Sequence, residues 1–301
     1  MITKFSNVYA GHVDLGDMGQ LATPANERRY PNEHLATVFS KAEAIARCMD
    51  EHGYHTLWLA EHHFQHEGYE CIPNIMMAGV HLAHLTRRLR IGCGFNIAPM
   101  WHPLRLAEDY ATADILTKGR VVFGVGRGYH TREVETFGAP MLDADANRDL
   151  FEEQVEIVMK AFNSESFSYQ GKHYQIPSLK ICPVPKQPIP ILIGGHADPA
   201  LKRAARLGDG WMHAGGDAAQ LDGYLARLHE LRREYGREKL PFEVHVIAME
   251  AYTLDGVKRL EDRGITDCIV GFRNAYEKDT MPLQQKIDAL RGYADRIIAK
   301  L

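Results

Sequence analysis

Residues 56–60 read TLWLA and residues 190–194 read PILIG, two short runs that are apolar almost throughout. A strand with one face in water alternates apolar and polar side chains, whereas a parallel strand covered on both faces is apolar along its length. Both runs are therefore typical of strands in a buried parallel sheet. Between such runs lie longer stretches in which apolar residues recur with helical spacing.

This alternation of short apolar runs and longer helical stretches covers the whole chain. We predict eight strands, at about residues 5–10, 56–60, 89–95, 121–125, 190–194, 210–214, 243–249 and 268–271. We predict eight helices, at residues 34–52, 74–86, 104–116, 147–162, 199–207, 218–235, 255–263 and 282–299. Gly53, Gly208, Gly236 and Gly264 follow four of them, and glycine adopts the left-handed conformation that ends many helices. Eight strands, each followed by a helix, predict an α/β fold of the (β/α)8 TIM barrel type.

The longest connection of the predicted barrel joins its fourth and fifth strands. It contains FSYQGKHYQI at residues 167–176, two alternating runs around a glycine, which predicts an inserted β-hairpin. We find no linker and no repeat, so we expect residues 1–301 to form a single domain. Functional residues of such barrels lie on the loops that follow the strands.

Composition and charge argue against several classes of partner. The 301 residues are 45% hydrophobic and 25% charged, with a net charge of -4 and scattered basic residues, so we expect no nucleic-acid partner. No apolar stretch reaches the roughly 20 residues that span a bilayer, and residues 1–5 lack the apolar region of a secretory signal. The five cysteines form no C-x-x-C pair. We therefore expect free thiols in a cytoplasmic protein with no membrane partner.

A cluster of histidines follows the second predicted strand. Residues 61–66 read EHHFQH, at the rim where TIM barrels carry their catalytic residues. His62 and His66 would share a face in a helix and could bind a metal, although the stretch lacks the H-E-x-x-H pattern of zinc hydrolases. A polar rim hydrogen-bonded to water and backbone is a second interpretation. We favour a third, a catalytic imidazole that titrates near neutrality, with Glu61 orienting it or bracing the barrel.

Glycine-rich turns follow three further predicted strands. Residues 92–94 read GCG, which either admits a flat group close to the backbone or serves packing within the barrel, and the sequence favours neither. Residues 124–128 read GVGRG, where backbone N–H groups and Arg127 suit a phosphate. Residues 194–199 read GGHADP, where Asp198 would cap a helix and leave free N–H groups for an anion. A plain turn into that helix is the alternative.

Four motifs, in this order, resemble those of the bacterial luciferase-like family of flavin-dependent monooxygenases. They read EHHF at residues 61–64, HPLRLAED at residues 102–109, GRVVFGVGRG at residues 119–128 and ARLGDGW at residues 205–211. Together they cover nearly the whole predicted barrel. The resemblance implies a TIM barrel that binds FMN, the cofactor that carries the oxygen chemistry in such enzymes.

The resemblance also implies roles for particular residues. His62 would be the catalytic histidine beside the reactive atoms of the flavin, and the Gly94-Phe95 peptide would be cis and lie against the flavin ring. The positions that it implies for cofactor binding are Gly94, Phe95, Asn96, Arg127, Gly128, Tyr129, Arg148, Gly194, Gly195, His196, Ala197 and Asp198. Those from Arg127 onward match phosphate-binding positions, and no metal ligand is implied.

We interpret the chain as the oxygenase of a two-component FMN-dependent system. In this hypothesis a separate flavin reductase supplies reduced FMN, which reacts with O2 to give a C4a-hydroperoxyflavin that oxygenates a small aldehyde-like or ketone-like substrate. The resemblance also suggests a homodimer. Two alternatives stay open: an F420-dependent hydride-transfer oxidoreductase of the same superfamily, and a flavin-binding protein without turnover. Residues 14–32 fit no recognised pattern and leave the substrate undetermined.

Overall fold

A closed ring of parallel strands forms the centre of the computed structural model, which describes residues 2–13, 29–128, 131–137, 144–213, 218–271 and 279–301. The strands within these ranges are β1 (Lys4–Tyr9), β2 (Thr56–Leu59), β3 (Arg90–Cys93), β4 (Asn96–Ile97), β5 (Val121–Gly126), β6 (Phe167–Gln170), β7 (Gln175–Leu179), β8 (Ile191–Gly194), β9 (Gly210–His213), β10 (Glu243–Ile247) and β11 (Asp267–Ile269). Hydrogen bonds order them β3, β2, β1, β11, β10, β9, β8, β5, and a pairing between β3 and β5 closes the ring. The predicted TIM barrel is confirmed.

Helices surround the ring and connect successive strands. Those in the described ranges are α1 (Asn32–Leu35), α2 (Thr37–Glu51), α3 (Ile75–Leu85), α4 (Pro103–Thr117), α5 (Thr131–Thr136), α6 (Ala144–Asn163), α7 (Asp198–Leu207), α8 (Ala218–Glu234), α9 (Leu254–Asp262) and α10 (Leu283–Arg296). The hairpin predicted between the fourth and fifth barrel strands is confirmed as the antiparallel pair β6 and β7. It lies outside the ring, in a sheet of its own.

Several element boundaries differ from the sequence-based expectation. The first predicted helix divides at Ala36, and the short helix α5 was not predicted. Gly53, Gly236 and Gly264 take positive φ angles of 79°, 64° and 85°, as a left-handed helix end requires. Gly208 does not, because its φ of -79° and ψ of 156° continue directly into the next extended segment. Ala214, the predicted last residue of the sixth strand, lies outside the described residues.

Large apolar side chains fill the inside of the ring. Trp58, Val122, Leu192, Met212 and Ile269 form this inner cluster. A Cβ atom at position 92 would lie 2.2 Å from Cε3 of Trp58, so glycine is required there by the protein's own indole. The packing interpretation of GCG is therefore confirmed for Gly92. The filled interior leaves the loops after the strands as the place for a site.

Candidate active site at the barrel mouth

The predicted site residues follow strands that are neighbours in the ring. β2, β3, β5 and β8 stand side by side, and the loops after them form what we call the barrel mouth. The ring of Phe95 crosses from β3 toward β8: a Cβ atom at Gly194 would lie 2.1 Å from its Cζ, and one at Gly126 would lie 3.1 Å from its Cβ. The peptide between Gly94 and Phe95 is cis, as the resemblance implied. The structure thus brings Gly94, Phe95 and Gly194 together.

His62 lies buried between two carboxylates. Its Nε2 is 2.5 Å from Oε2 of Glu70, and its Nδ1 is 3.1 Å from Oε1 of Glu133. Burial alone lowers the pKa of His62, but the hydrogen bonds and charges of Glu133 and Glu70 outweigh burial and raise the pKa to about 9. The expectation of an imidazole that titrates near neutrality is therefore wrong. Two buried carboxylates keep this ring an imidazolium at neutral pH.

Glu133 reaches the histidine-rich loop from the short helix α5. Besides His62, its Oε1 accepts hydrogen bonds from the backbone N–H of His63 at 2.8 Å and from Nε2 of Gln65 at 2.8 Å. Burial raises the pKa of Glu133, yet its hydrogen bonds and the charge of His62 hold it below its usual value. On the other side of His62, Oε1 of Glu70 lies 3.9 Å from Nε2 of His12. Glu133, His62, Glu70 and His12 thus form a row of four buried ionisable side chains.

Glu61 is a buried carboxylate that joins the loops after β2 and β3. Its Oε2 accepts from Nδ2 of Asn96 at 2.5 Å and from the backbone N–H of Ile97 at 2.6 Å. Its Oε1 accepts from Nε1 of Trp101 at 2.8 Å and lies 3.1 Å from Nε2 of His63. The contacts of Glu61 support its role in bracing the barrel, and the imidazole that it contacts is that of His63. Orientation of a catalytic imidazole by Glu61 stays a prediction. The Asn96 amide serves the same brace, and its cofactor role stays a prediction.

We expect the substitution Glu61→Gln to lower the free energy of unfolding by about 3 kcal/mol. The carboxylate satisfies four donor groups at 1% exposure, whereas a glutamine side chain offers one acceptor and turns its own N–H2 toward donors. Urea denaturation followed by circular dichroism measures the change. Glu51→Gln, an exposed carboxylate at the end of α2, is the control and should stay near wild type. Equal stability of the two variants would contradict the role of Glu61.

Three arginines, Arg127, Arg148 and Arg203, lie near one another. Arg203 of α7 is only 6% exposed, with its guanidinium carbon 4.8 Å above the ring of Phe151 and its Nε 3.3 Å from Glu152. Burial lowers the pKa of Arg203, the charge of Glu152 raises it, and the charges of Arg127 and Arg148 lower it. Arg127 after β5 and Arg148 on α6 therefore lie close enough to repel a buried third cation.

The turn after β8 leads into α7 without the predicted cap. Gly195 has a φ of 113°, and Ala197 takes the N-cap position with no side-chain hydrogen bond. The prediction that Asp198 caps the helix is wrong. Asp198 is the first helical residue, and its carboxylate pairs with Lys202 and Arg227, each at 2.8 Å, on an exposed surface.

His196 packs against helix α8 and strand β9. Its ring stacks on Tyr224 of α8 at 5.1 Å between centroids and lies 4.6 Å from His213. Nε1 of Trp211 donates to the carbonyl of Gly195 at 2.9 Å, which fixes the same turn. His196 therefore supports the turn, while contact with a cofactor stays a prediction for it. Gly128 has a φ of 79°, and Tyr129 lies outside the described residues.

The structure adds three residues that the sequence-based site lacked: Glu70, Glu133 and Arg203. Glu133 lies in a six-residue helix, too short for an apolar period to reveal. Arg203 could have been noticed, because it is a charged residue beside the buried Leu201, Ala204 and Ala205 of α7. Glu70 follows EHHFQH by four residues, within a segment that forms neither helix nor strand.

The described residues offer neither a metal-binding cluster nor a membrane-spanning helix. Within the described ranges, no group of three or more His, Cys, Asp and Glu side chains is placed to hold a metal ion. The segment 61–70 is not helical, so His62 and His66 do not share a helix face. None of the described helices has the length and apolar character needed to cross a bilayer.

Three relatives are similar to this chain over half of its length or more. The uncharacterized protein Rv0940c of Mycobacterium tuberculosis (strain ATCC 25618 / H37Rv) is 45% identical over 222 residues, 73% of this chain and 75% of that protein. The oxygenase component of flavin-dependent trigonelline monooxygenase from Acinetobacter baylyi is 31% identical over 174 residues, 58% of this chain and 47% of that protein. An F420-dependent glucose-6-phosphate dehydrogenase of Amycolatopsis mediterranei is 27% identical over 175 residues, 57% and 52% of the two chains.

A solved structure shares the fold, and a family model identifies the family. Monooxygenase RslO1 from Streptomyces bottropensis superposes with a TM-score of 0.76 at 20% identity, covering 99% of each chain, which supports the fold alone. The model of the family described as luciferase-like monooxygenase matches residues 19–270. The chain therefore belongs to the luciferase-like monooxygenase family.

Proposed function

We propose that the protein binds FMN at the barrel mouth and uses reduced FMN with O2 to oxygenate a small organic substrate. The observation that carries this proposal is the proximity of Arg127 and Arg148 to the buried Arg203 of α7, the helix that follows the turn at 194–198. Membership of the family and the likeness to a flavin-dependent monooxygenase component support it.

The arginine group fits a phosphate. Arg203 is buried beside two like charges, and its carboxylate neighbour Glu152 is shared with Arg206 at 2.5 Å. An anion of two charges between the guanidinium groups would relieve their repulsion, and arginine suits phosphate because its N–H groups bind two oxygens at once. The positive φ angles of Gly128 and Gly195 are typical of turns that aim backbone N–H groups at an anion.

The remaining residues would hold the reacting end of the cofactor and handle protons. Bound reduced flavin supplies the electrons and the activation of oxygen. Phe95 packs on the apolar cluster that fills the barrel, and in this proposal it keeps water of the interior away from the flavin. His62 holds a proton on Nε2 against Glu70. In this proposal the His62–Glu70 pair, and not His62 alone, supplies that proton to an oxygen atom that gains negative charge.

Two partners belong to the same proposal. We propose that reduced FMN comes from a separate flavin reductase, because the relative from Acinetobacter baylyi is named an oxygenase component. O2 and a small organic molecule, of aldehyde or ketone type, are the proposed substrates. A homodimer stays a prediction from the family resemblance.

An F420-dependent hydride-transfer enzyme is the second candidate. A relative with that cofactor matches 57% of this chain, and F420 also carries a phosphate for the three arginines. Binding titrations with FMN and F420, followed by oxygen-electrode measurements with each reduced cofactor, separate the two. We expect FMN to bind more tightly than F420 by about tenfold or more, which is about 1.4 kcal/mol of binding free energy. We also expect oxygen uptake with reduced FMN to yield an oxygenated product. Tighter binding of F420 with substrate oxidation in the absence of O2 would overturn the proposal.

A further inference from the structure

We infer that Glu133 is a positioning residue that binds the loop after β2 and fixes the ring of His62 with Nδ1 turned toward α5 and Nε2 turned toward Glu70. Glu133 would orient His62, the proposed proton-handling residue, so this inference rests on the proposed function. The contacts themselves do not depend on any cofactor.

The first support is the convergence of donors on one oxygen. Oε1 of Glu133 accepts from Nδ1 of His62 at 3.1 Å, from the backbone N–H of His63 at 2.8 Å and from Nε2 of Gln65 at 2.8 Å. All three donors belong to one short loop, whereas Glu133 belongs to helix α5, and its side chain is only 2% exposed. A buried carboxylate with three donors fixes both the loop and the imidazole, because moving either one removes donors from a buried charge.

The second support is the pattern of charge around His62. Glu70 and the Tyr69 ring, at 6.5 Å, face it from its own loop, and Glu133 faces it from α5. His12, from the segment after β1, stands behind Glu70 at 3.9 Å. Each carboxylate takes one ring nitrogen, so loss of the Glu133 charge would leave Nδ1 without its ionic partner. The tilt of the ring would then be set from the Nε2 side alone.

The third support is the place of α5 in the chain. The helix begins three residues after Gly128, the end of the GVGRG turn that carries Arg127. Glu133 thus connects the turn proposed to bind phosphate with the loop proposed to handle protons. It therefore links the proposed phosphate-binding end of the site to the proposed proton-handling end.

The test is a titration of His62 by NMR in protein labelled with ¹⁵N and ¹³C histidine, without cofactor. Glu133→Gln keeps the size of the side chain and an oxygen acceptor but removes the charge. We expect it to lower the pKa of His62 by about one unit or more and to shift the amide resonances of His63 and Gln65. Glu135→Gln, an exposed carboxylate on the same helix, is the matched control and should leave both unchanged.

If circular dichroism shows that Glu133→Gln does not fold, a third variant still tests the inference. Glu133→Asp retains the charge on a shorter arm, and we expect a His62 pKa between those of wild type and an unclamped imidazole. A His62 titration that stays within about 0.3 units of wild type in the folded variant, or an equal shift in Glu135→Gln, would overturn the inference. Because this readout needs no turnover, a shifted titration in a protein that never consumes oxygen would refute only the proposed function.

Discussion

Replacing His62 by asparagine is expected to lower the rate of substrate oxygenation by a factor of about 100 to 10,000, the usual contribution of a positioned proton donor. Asparagine still donates a hydrogen bond but carries no transferable proton. It is preferable to alanine, because alanine would leave Glu70 and Glu133 buried with neither a cation nor a hydrogen-bond donor between them. Product formation by mass spectrometry, with reduced FMN and a flavin reductase, measures the rate.

The binding of FMN serves as the internal comparison for this variant. His62 does not belong to the arginine group, so the dissociation constant for FMN should stay within about threefold of wild type. His66→Asn, a half-buried histidine in the same loop, is the matched control and should retain its activity. Unchanged product formation in His62→Asn would eliminate the proposed role of this residue.

Replacing Arg127 by glutamine is expected to weaken FMN binding by about 10-fold to 100-fold while leaving riboflavin binding as it is. A charge-assisted hydrogen bond contributes roughly 1.5–3 kcal/mol, and riboflavin has the same ring and ribityl chain without the phosphate. Arg127 is exposed, so the fold should tolerate the change. Quenching of flavin fluorescence measures both constants.

The control for the arginine variant is Arg105→Gln on α4. Arg105 is 68% exposed and pairs with Asp109 one helical turn away, so its loss should affect neither ligand. Equal weakening of FMN and riboflavin in Arg127→Gln would assign the arginine to the ring or to general folding. No weakening of either ligand would remove Arg127 from the proposed phosphate site.

The barrel was predictable because a strand buried on both faces is apolar along its length, and such a run is visible in the sequence. The runs at 56–60 and 190–194 contain β2 and β8, and a simple count of such runs predicted the ring. Local turn chemistry was less reliable. Asp198 has the residue type of a cap, but Lys202 and Arg227 attract its carboxylate to the surface, and Ala197 takes the cap position instead.

The electrostatic state of the site could not be predicted, because it depends on contacts between distant segments. The loop around EHHFQH revealed His62, yet the carboxylate on Nδ1 comes from 71 residues further along the chain. A histidine considered alone has a pKa near 6.5, and only the fold supplies the two anions that change it. The proximity of Arg203 to Arg127 and Arg148 could not be predicted for the same reason, since the three residues lie on different elements.

The closure of the ring has a consequence for its motion. Two residue pairs, Ile91 with Val121 and Gly92 with Val122, join β3 to β5, and after an interruption two further pairs join β4 to β5. The other neighbouring strands of the ring pair without interruption over three or four residues. Brief thermal openings cross the shortest ladder most readily. Hydrogen exchange should therefore be fastest among barrel amides along this interrupted line between β3 and β5.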